Sequence, residues 1–243
     1  MCSQTFAPFF QLYCDRISKM HFLILVAGTN EPSNAAFLAT TFGETLASYR
    51  HNVTTTRLKD LAIGHFSLQC YEQDFQHEED LLRIRDAIHE ADGVVIATPI
   101  WNFAVPAHLK NLIDRLGTFY LDTETRSKGQ LNGKPFFFLF TGGAPVAAWT
   151  GMMKFTTSFT PDALRYFGAN PVGSFYEGKC MVGRGKFGLI VDQRPQTLAR
   201  VRGEAQSFLQ ICDACVKTGK IPLRFRMKGM LMRLGNRMMK KMF

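Results

Sequence analysis

Three runs in this chain carry almost no polar side chains: HFLILVAG at 21–28, GVVIATP at 93–99 and KPFFFLFTGG at 134–143. Strands that are short and continuously apolar are covered on both faces, because a solvated face would alternate with polar residues. Between them lie segments with helical spacing. In 32–49 the apolar positions are Phe37, Leu38, Phe42, Leu46 and Tyr49. In 78–92, Leu81, Ile84, Ile88 and Ala91 share one face. PAHLKNLIDRLG, 106–117, opens at a Pro and closes at a Gly, the usual limits of a helix. The β-branched NVTTTRL, 52–58, adds a strand, and PVGSFYEGKCMV, 171–182, supplies the last one. A helical region runs to about 168, and 195–219 forms the closing helix. Strand and helix thus alternate five times, which predicts an α/β fold: a doubly wound, five-stranded parallel sheet of order 2-1-3-4-5.

The composition fits one globular domain, expected over 20–219: of 243 residues 46% are hydrophobic and 20% charged. The net charge of +9 points to nucleic acid only until it is located. Residues 220–243 hold eight Lys and Arg and no Asp or Glu, so the remainder is close to neutral. The tail is therefore a basic segment of its own. Met227, Leu231, Leu234, Met238 and Met242 can form one helical stripe, weakened by Gly229 and Gly235. Two readings of that stripe stay open: docking on its own domain or dimer mate, and peripheral contact with an anionic membrane. No nucleic-acid motif or aromatic interleaving supports RNA or DNA as partner.

Six Cys stand at 2, 14, 70, 180, 212 and 215. Cys212 and Cys215 form a CxxC without a second ligand pair, so no metal site is expected. They read as helix-face thiols in a reduced, cytoplasmic protein. No run of 18 apolar residues predicts a membrane span. Residues 1–19 lack the pattern of a secretory signal and are read as an N-terminal extension that adds little to the fold.

In a doubly wound sheet, ligands sit beyond the carboxyl ends of the strands where the winding reverses. Three loops qualify. GTNEPSN, 28–34, puts Thr29, Asn30, Ser33 and Asn34 at the mouth of a helix, where free N–H groups and the dipole favour phosphate. It is neither a Walker A loop nor GxGxxG. A plain N-cap at Ser33 or Asn34 is the competing reading. TPIWNF, 98–103, offers an apolar shelf of Pro99, Ile100, Trp101, Asn102 and Phe103. Its competing reading is a plug of core or subunit interface. TGGAP, 141–145, brings Thr141 and the Gly142–Gly143 pair, which lets backbone donors come close. A phosphate nest at one end and a shelf with donors at the other suits a phosphorylated planar ring.

ADGVVIATPIWNFAVPAHLKNLIDRLG resembles the strand, the P-x-Y/W-N-type loop and the P-x-x-L-K-N-x-I-D helix of the NAD(P)H-dependent FMN reductase family, which has the flavodoxin-like fold. Gly28, Thr29 and Ser33 resemble that family's G-S-x-R-x-x-S phosphate loop. The likeness spans about residues 20–215. It implies FMN with its phosphate on Thr29, Asn30, Ser33 and Asn34. The flavin ring is then expected against Pro99, Ile100, Trp101, Asn102 and Phe103, with Thr141, Gly142 and Gly143 along its other edge. Glu31 departs from the pattern, standing where Arg is common. An acid beside a phosphate is unfavourable unless it points away.

The resemblance also implies NADPH or NADH as co-substrate, and hydride passing through flavin N5 to a quinone, flavin, azo or nitro acceptor. A homodimer or homotetramer is expected. No catalytic side chain is required, because the cofactor carries the chemistry. No Ser-His-Asp or Cys-His set stands out, and the six His read as surface or packing residues. Two rivals remain: a non-enzymatic FMN electron carrier, and a protein of the same fold that works through its tail without FMN. Carriers of the flavodoxin type tend to be acidic, which this body is not.

Overall fold

The computed structural model describes residues 19–220; the N-terminal extension up to residue 18 and the basic tail from residue 221 lie outside the described residues. Five strands form one parallel sheet: β1 (His21–Val26), β2 (Asn52–Arg57), β3 (Gly93–Pro99), β4 (Pro135–Thr141) and β5 (Asn170–Glu177). Their order is β2-β1-β3-β4-β5, the expected winding. Among the described residues six α-helices connect and close it: α1 (Asn34–Ser48), α2 (Glu79–Glu90), α3 (Ala107–Tyr120), α4 (Val146–Thr150), α5 (Phe159–Tyr166) and α6 (Pro195–Thr218).

Alternation along each central strand divides the core in two. Leu23, Leu25, Val94, Ile96, Phe136 and Phe138 face α2 and α3. Phe22, Ile24, Val95, Phe137 and Leu139 face α1 and α6. On the second side Phe208 of α6 meets the rings of Phe22, Phe42 and Phe137, each at 5.9 Å between centroids. β3 and β4 are buried at every position, as their apolar runs require. β2 is not: it is an edge strand and mostly open to solvent, so its β-branched residues, not burial, make it a strand.

The structure differs from the sequence reading in three places. α3 runs through Gly117 to Tyr120. Gly117 is a contact point, not a stop: a Cβ there would lie 3.2 Å from the Phe167 ring and 3.3 Å from the Tyr71 hydroxyl. The last strand ends at Glu177, and residues 178–190 turn away as a loop with a small hairpin. The helical region before β5 is broken into α4, a 3-10 turn over Met152–Thr156 and α5.

On α6, Cys212 is fully buried and Cys215 half-buried. Burial raises both thiols, so neither is activated. Among the described residues no cluster of His, Cys, Asp or Glu has the arrangement of a metal site, and no helix is long and apolar enough to cross a membrane.

Candidate functional site

Parallel register brings the three loops to one edge. Val26 pairs with Ala97, and Pro99 with Thr141, so the chain leaves β1, β3 and β4 side by side. Hydrogen bonds then stitch the exits together. Ala27 N–H donates to Ala97 O at 2.8 Å, and Ile100 N–H donates to Thr141 O at 2.7 Å.

The first loop is shaped for an anion. Ser33 caps α1, its Oγ accepting from Ala36 N–H at 3.3 Å. Gly28 is needed for that approach: a Cβ there would fall 2.4 Å from Ser33 Oγ. Thr29 and Asn30 are exposed at the rim. Glu31, the one carboxylate of the loop, forms an ion pair with Arg57 at the end of β2 and lies 3.8 Å from Lys59. The acid is thus drawn outward, and what remains around the helix mouth is a set of donors: hydroxyls, an amide and the unbonded N–H groups of the first turn.

Asn34 departs from expectation. Its amide nitrogen donates to Gly188 O at 2.8 Å, while its Oδ1 accepts from Ile190 N–H at 3.0 Å and Val191 N–H at 3.2 Å. The side chain is anchored to the 188–191 segment through Oδ1 and one Nδ2 hydrogen, so its second Nδ2 hydrogen and its backbone N–H are what it can still offer a ligand.

The second loop is a tight turn under strain. Trp101 and Ala104 exchange both backbone hydrogen bonds, at 2.8 and 2.9 Å, around Asn102 and Phe103. Both central residues have positive φ, 48° and 65°. That sign pattern suits Asn followed by Gly. An L-residue with a bulky side chain gives up roughly 1–2 kcal/mol to sit there. Phe103 nevertheless does, and it is 65% exposed beside Trp101 at 37%. An aromatic ring held in solvent on a strained backbone gains nothing for the fold of the single chain, which leaves a ligand or a subunit interface as what it can face. Pro99 is buried beneath the turn and Ile100 is half-buried. The alternative of a core plug does not describe Phe103.

In the third loop Thr141 is buried, and the two glycines differ. Gly142 N–H donates to Glu177 O at 3.0 Å, and a Cβ on it would meet the Tyr176 hydroxyl at 2.8 Å, so Gly142 serves packing. Gly143 is exposed, and its N–H has no partner among the described residues. It is the donor this loop offers. Burial pushes the neighbouring Tyr176 phenol up to about 12 and the Cys180 thiol up to about 11. Both stay neutral at pH 7, and Tyr176 simply donates to Ala144 O at 2.8 Å.

Two contributors escaped the sequence reading. His108, in the first turn of α3, reaches Ala27 O with Nε2 at 2.8 Å. The acceptor is a carbonyl, so Nε2 carries the proton, and the ring fixes the root of the first loop to the helix below the second. Its position two residues after Pro106 in the P-A-H-L-K-N run was the available signal. The second is the loop after β5. Cys180 N–H donates to Gly142 O at 3.0 Å, and Met181 Sδ lies 3.1 Å from where a Cβ on Gly143 would be. Arg194 holds the base of this loop through Glu177 (2.5 Å), Gly178 O and Lys179 O (both 2.8 Å). With Asn34 fastening its far end, the segment bridges the first and third loops. A polar, glycine-rich stretch with no regular period gave little sign of this.

The model of a family described as flavodoxin-like fold matches residues 20–193. The FMN-dependent NADH:quinone oxidoreductase of Erythrobacter litoralis is 35% identical over 96 residues, 36% of this chain and 49% of that protein. The chain spans about half the length of the first curated relatives it matches. Among solved structures, the NAD(P)H:quinone oxidoreductase from Methanothermobacter marburgensis superposes with a TM-score of 0.62 at 21% identity, over 78% of this chain and 96% of that one. The FMN-dependent NADH-azoreductase from Bacillus anthracis, in complex with FMN, has a TM-score of 0.57 at 15% identity, over 77% and 98%. At those identities the structures speak for the fold.

Proposed function

The chain belongs to the flavodoxin-like fold family, and on that premise we propose that it is an FMN-dependent NAD(P)H oxidoreductase acting on a quinone-type acceptor, with free flavin, azo or nitro compounds as the wider class. The observation that carries this reading is the Trp101–Phe103 turn: strained, aromatic, exposed, and joined at its root to the end of β4 by the bond from Ile100 N–H to Thr141 O. A flat apolar ligand explains why such a turn is worth its strain.

The residues fit FMN. Thr29, Asn30 and Ser33 offer side-chain donors for its phosphate, joined by the N–H groups of Asn34 and Ala35 at the α1 mouth. Glu31 does not oppose the charge, because Arg57 and Lys59 hold it aside. Pro99, Ile100, Trp101, Asn102 and Phe103 form one wall for the ring and exclude water from it. Thr141, Gly142 and Gly143 border its edge, with Gly143 N–H as the hydrogen-bond donor. When bound, FMN supplies the chemistry, taking hydride from the nicotinamide at N5 and delivering electrons to the acceptor. The protein's part is to orient the ring and leave one face open for donor and acceptor in turn. The names of the curated relatives and the FMN-bound azoreductase support the same cofactor and donor. They favour an enzyme over a bare electron carrier, as does the near-neutral body.

The test is to mix purified protein with FMN, NADH or NADPH and menadione without oxygen and follow the nicotinamide absorbance. Donor oxidation that saturates with FMN is the expected result. FMN binding without oxidation returns the carrier, and absence of FMN binding overturns both. The same family reading proposes a homodimer or homotetramer, checked by sedimentation velocity. For the basic tail, membrane contact is tested by pelleting full-length and 1–219 protein with anionic vesicles.

A further inference from the structure

The hairpin beyond β5 has features the flavin site does not use. Val182 N–H donates to Lys186 O and Lys186 N–H to Gly183 O, both at 3.1 Å, closing a turn through Arg184 and Gly185 (φ 70°). Arg184, Lys186 and Phe187 are all exposed at its tip, Phe187 to 75%. Among the described residues neither Arg184 nor Lys186 makes an ion pair, nor does Lys179 earlier in the arm, whereas Arg194 at its base pairs with Glu177. No carboxylate lies between Glu177 and Asp192. The arm is fixed at both ends to the candidate site, through Cys180 to Gly142 and through Asn34 to Gly188, Ile190 and Val191. Its tip is therefore an anchored projection at the site's rim, combining two unpaired cations with one bare aromatic face.

That chemistry matches one half of the reducing substrate. Phosphates pair with guanidinium and ammonium groups, and adenine stacks on an aromatic ring or a guanidinium plane. Resting on the reductase reading, we propose that the 182–187 hairpin binds the adenylate end of the nicotinamide dinucleotide: Arg184 and Lys186 take its phosphates and Phe187 takes the adenine. The hairpin is then a specificity element for the donor and has no part in holding FMN.

The test compares two donors with the FMN-loaded, full-length protein. Reduced nicotinamide mononucleotide carries the reacting ring but no adenylate. NADPH carries both. For R184A/K186A, the ratio of kcat/KM for NADPH to kcat/KM for the mononucleotide falls about tenfold relative to wild type, the order expected for two exposed phosphate contacts. F187A lowers the same ratio by a few-fold, and added salt lowers it in the wild type. A ratio measures only active protein, so partial misfolding leaves it unmoved. R184Q/K186Q keeps the polar bulk and is expected to show the same fall. A ratio within twofold of wild type in both double variants overturns the proposal. Failure of the reductase reading looks different: wild-type protein that holds FMN yet oxidises neither donor.

Discussion

Two loops leave the sheet at the same edge and are built on opposite terms. The connection after β2, residues 58–78, is long, and α3 holds it from inside. Arg115, 1% exposed, donates to Gly64 O at 2.8 Å and to both carboxylate oxygens of Glu78 at 2.5 and 3.1 Å. Asn111, one turn earlier, donates to the same Gly64 O at 3.0 Å and accepts from Phe66 N–H at 2.8 Å. The connection after β3 is short. It carries its strain in Asn102 and Phe103 and leaves its aromatic surface in solvent. One helix serves both, its first turn beneath the strained loop and its middle gripping the long one. The long connection is held by a buried cation, of whose guanidinium nitrogens Nε is left without a partner among the described residues. On the proposed reading, the short one keeps its aromatic surface open for a ligand.

The comparison breaks most visibly at Arg115. R115L takes the cation from Glu78, which is one-third exposed and keeps its bond from Gly64 N–H, and is expected to lose about 1–3 kcal/mol of stability in urea unfolding. FMN affinity of the folded fraction should change less than threefold. A folded R115L that loses FMN would mean the two loops are one device. F103G does the reverse. Glycine accepts a φ of 65° without penalty, so stability rises by about 1 kcal/mol, while FMN affinity or acceptor turnover falls roughly tenfold. A loss of stability would show that Phe103 packs into the fold after all.

A pH series sharpens the same contrast. Burial works to raise the Glu78 pKa, but hydrogen bonds from Arg115 and from Gly64 N–H outweigh it and hold the carboxyl below its ordinary value. A depressed pKa contributes stability that is present above the unfolded-state pKa and lost as pH falls through the folded one. The melting temperature of the wild type should therefore drop below the ordinary carboxylate range more steeply than that of E78Q. The smallest effect belongs to Glu31. E31Q frees Arg57, while Lys59 stays paired with Asp60 at 2.9 Å, and FMN affinity should rise two- to threefold at low salt, with the gain vanishing at high salt.

Most of the architecture was legible because it follows from period and burial. GVVIATP and PFFFLFT could only be central strands, and Leu81, Ile84 and Ile88 could only be one buried helix face. The candidate site was legible at the level of loops, since strand ends in this winding converge by geometry. Side-chain assignments within it were not. Asn34 reads as a phosphate ligand, and its second role as a fastener was hidden because those partners lie more than 150 residues away at Gly188, Ile190 and Val191. Gly142 and Gly143 look alike in sequence, and only the nearby Tyr176 separates them. Arg115 gave no sign of burial: in an amphipathic helix an Arg reads as solvent-facing until a loop folds over it.

The central claim is that the β1, β3 and β4 exits together hold a phosphorylated flavin, and direct titration addresses it. FMN is added to the purified chain while flavin fluorescence and the melting temperature are followed, with riboflavin as the phosphate-free control. At a hundredfold excess over Kd, linkage predicts about 2.7 kcal/mol of stabilisation, on the order of 5–10 °C for a domain of this size, with quenched fluorescence. Riboflavin should bind far more weakly, because it leaves Thr29, Asn30, Ser33 and the α1 mouth without an anion. FMN fluorescence left unquenched and a melting temperature left in place at saturating FMN would contradict the account.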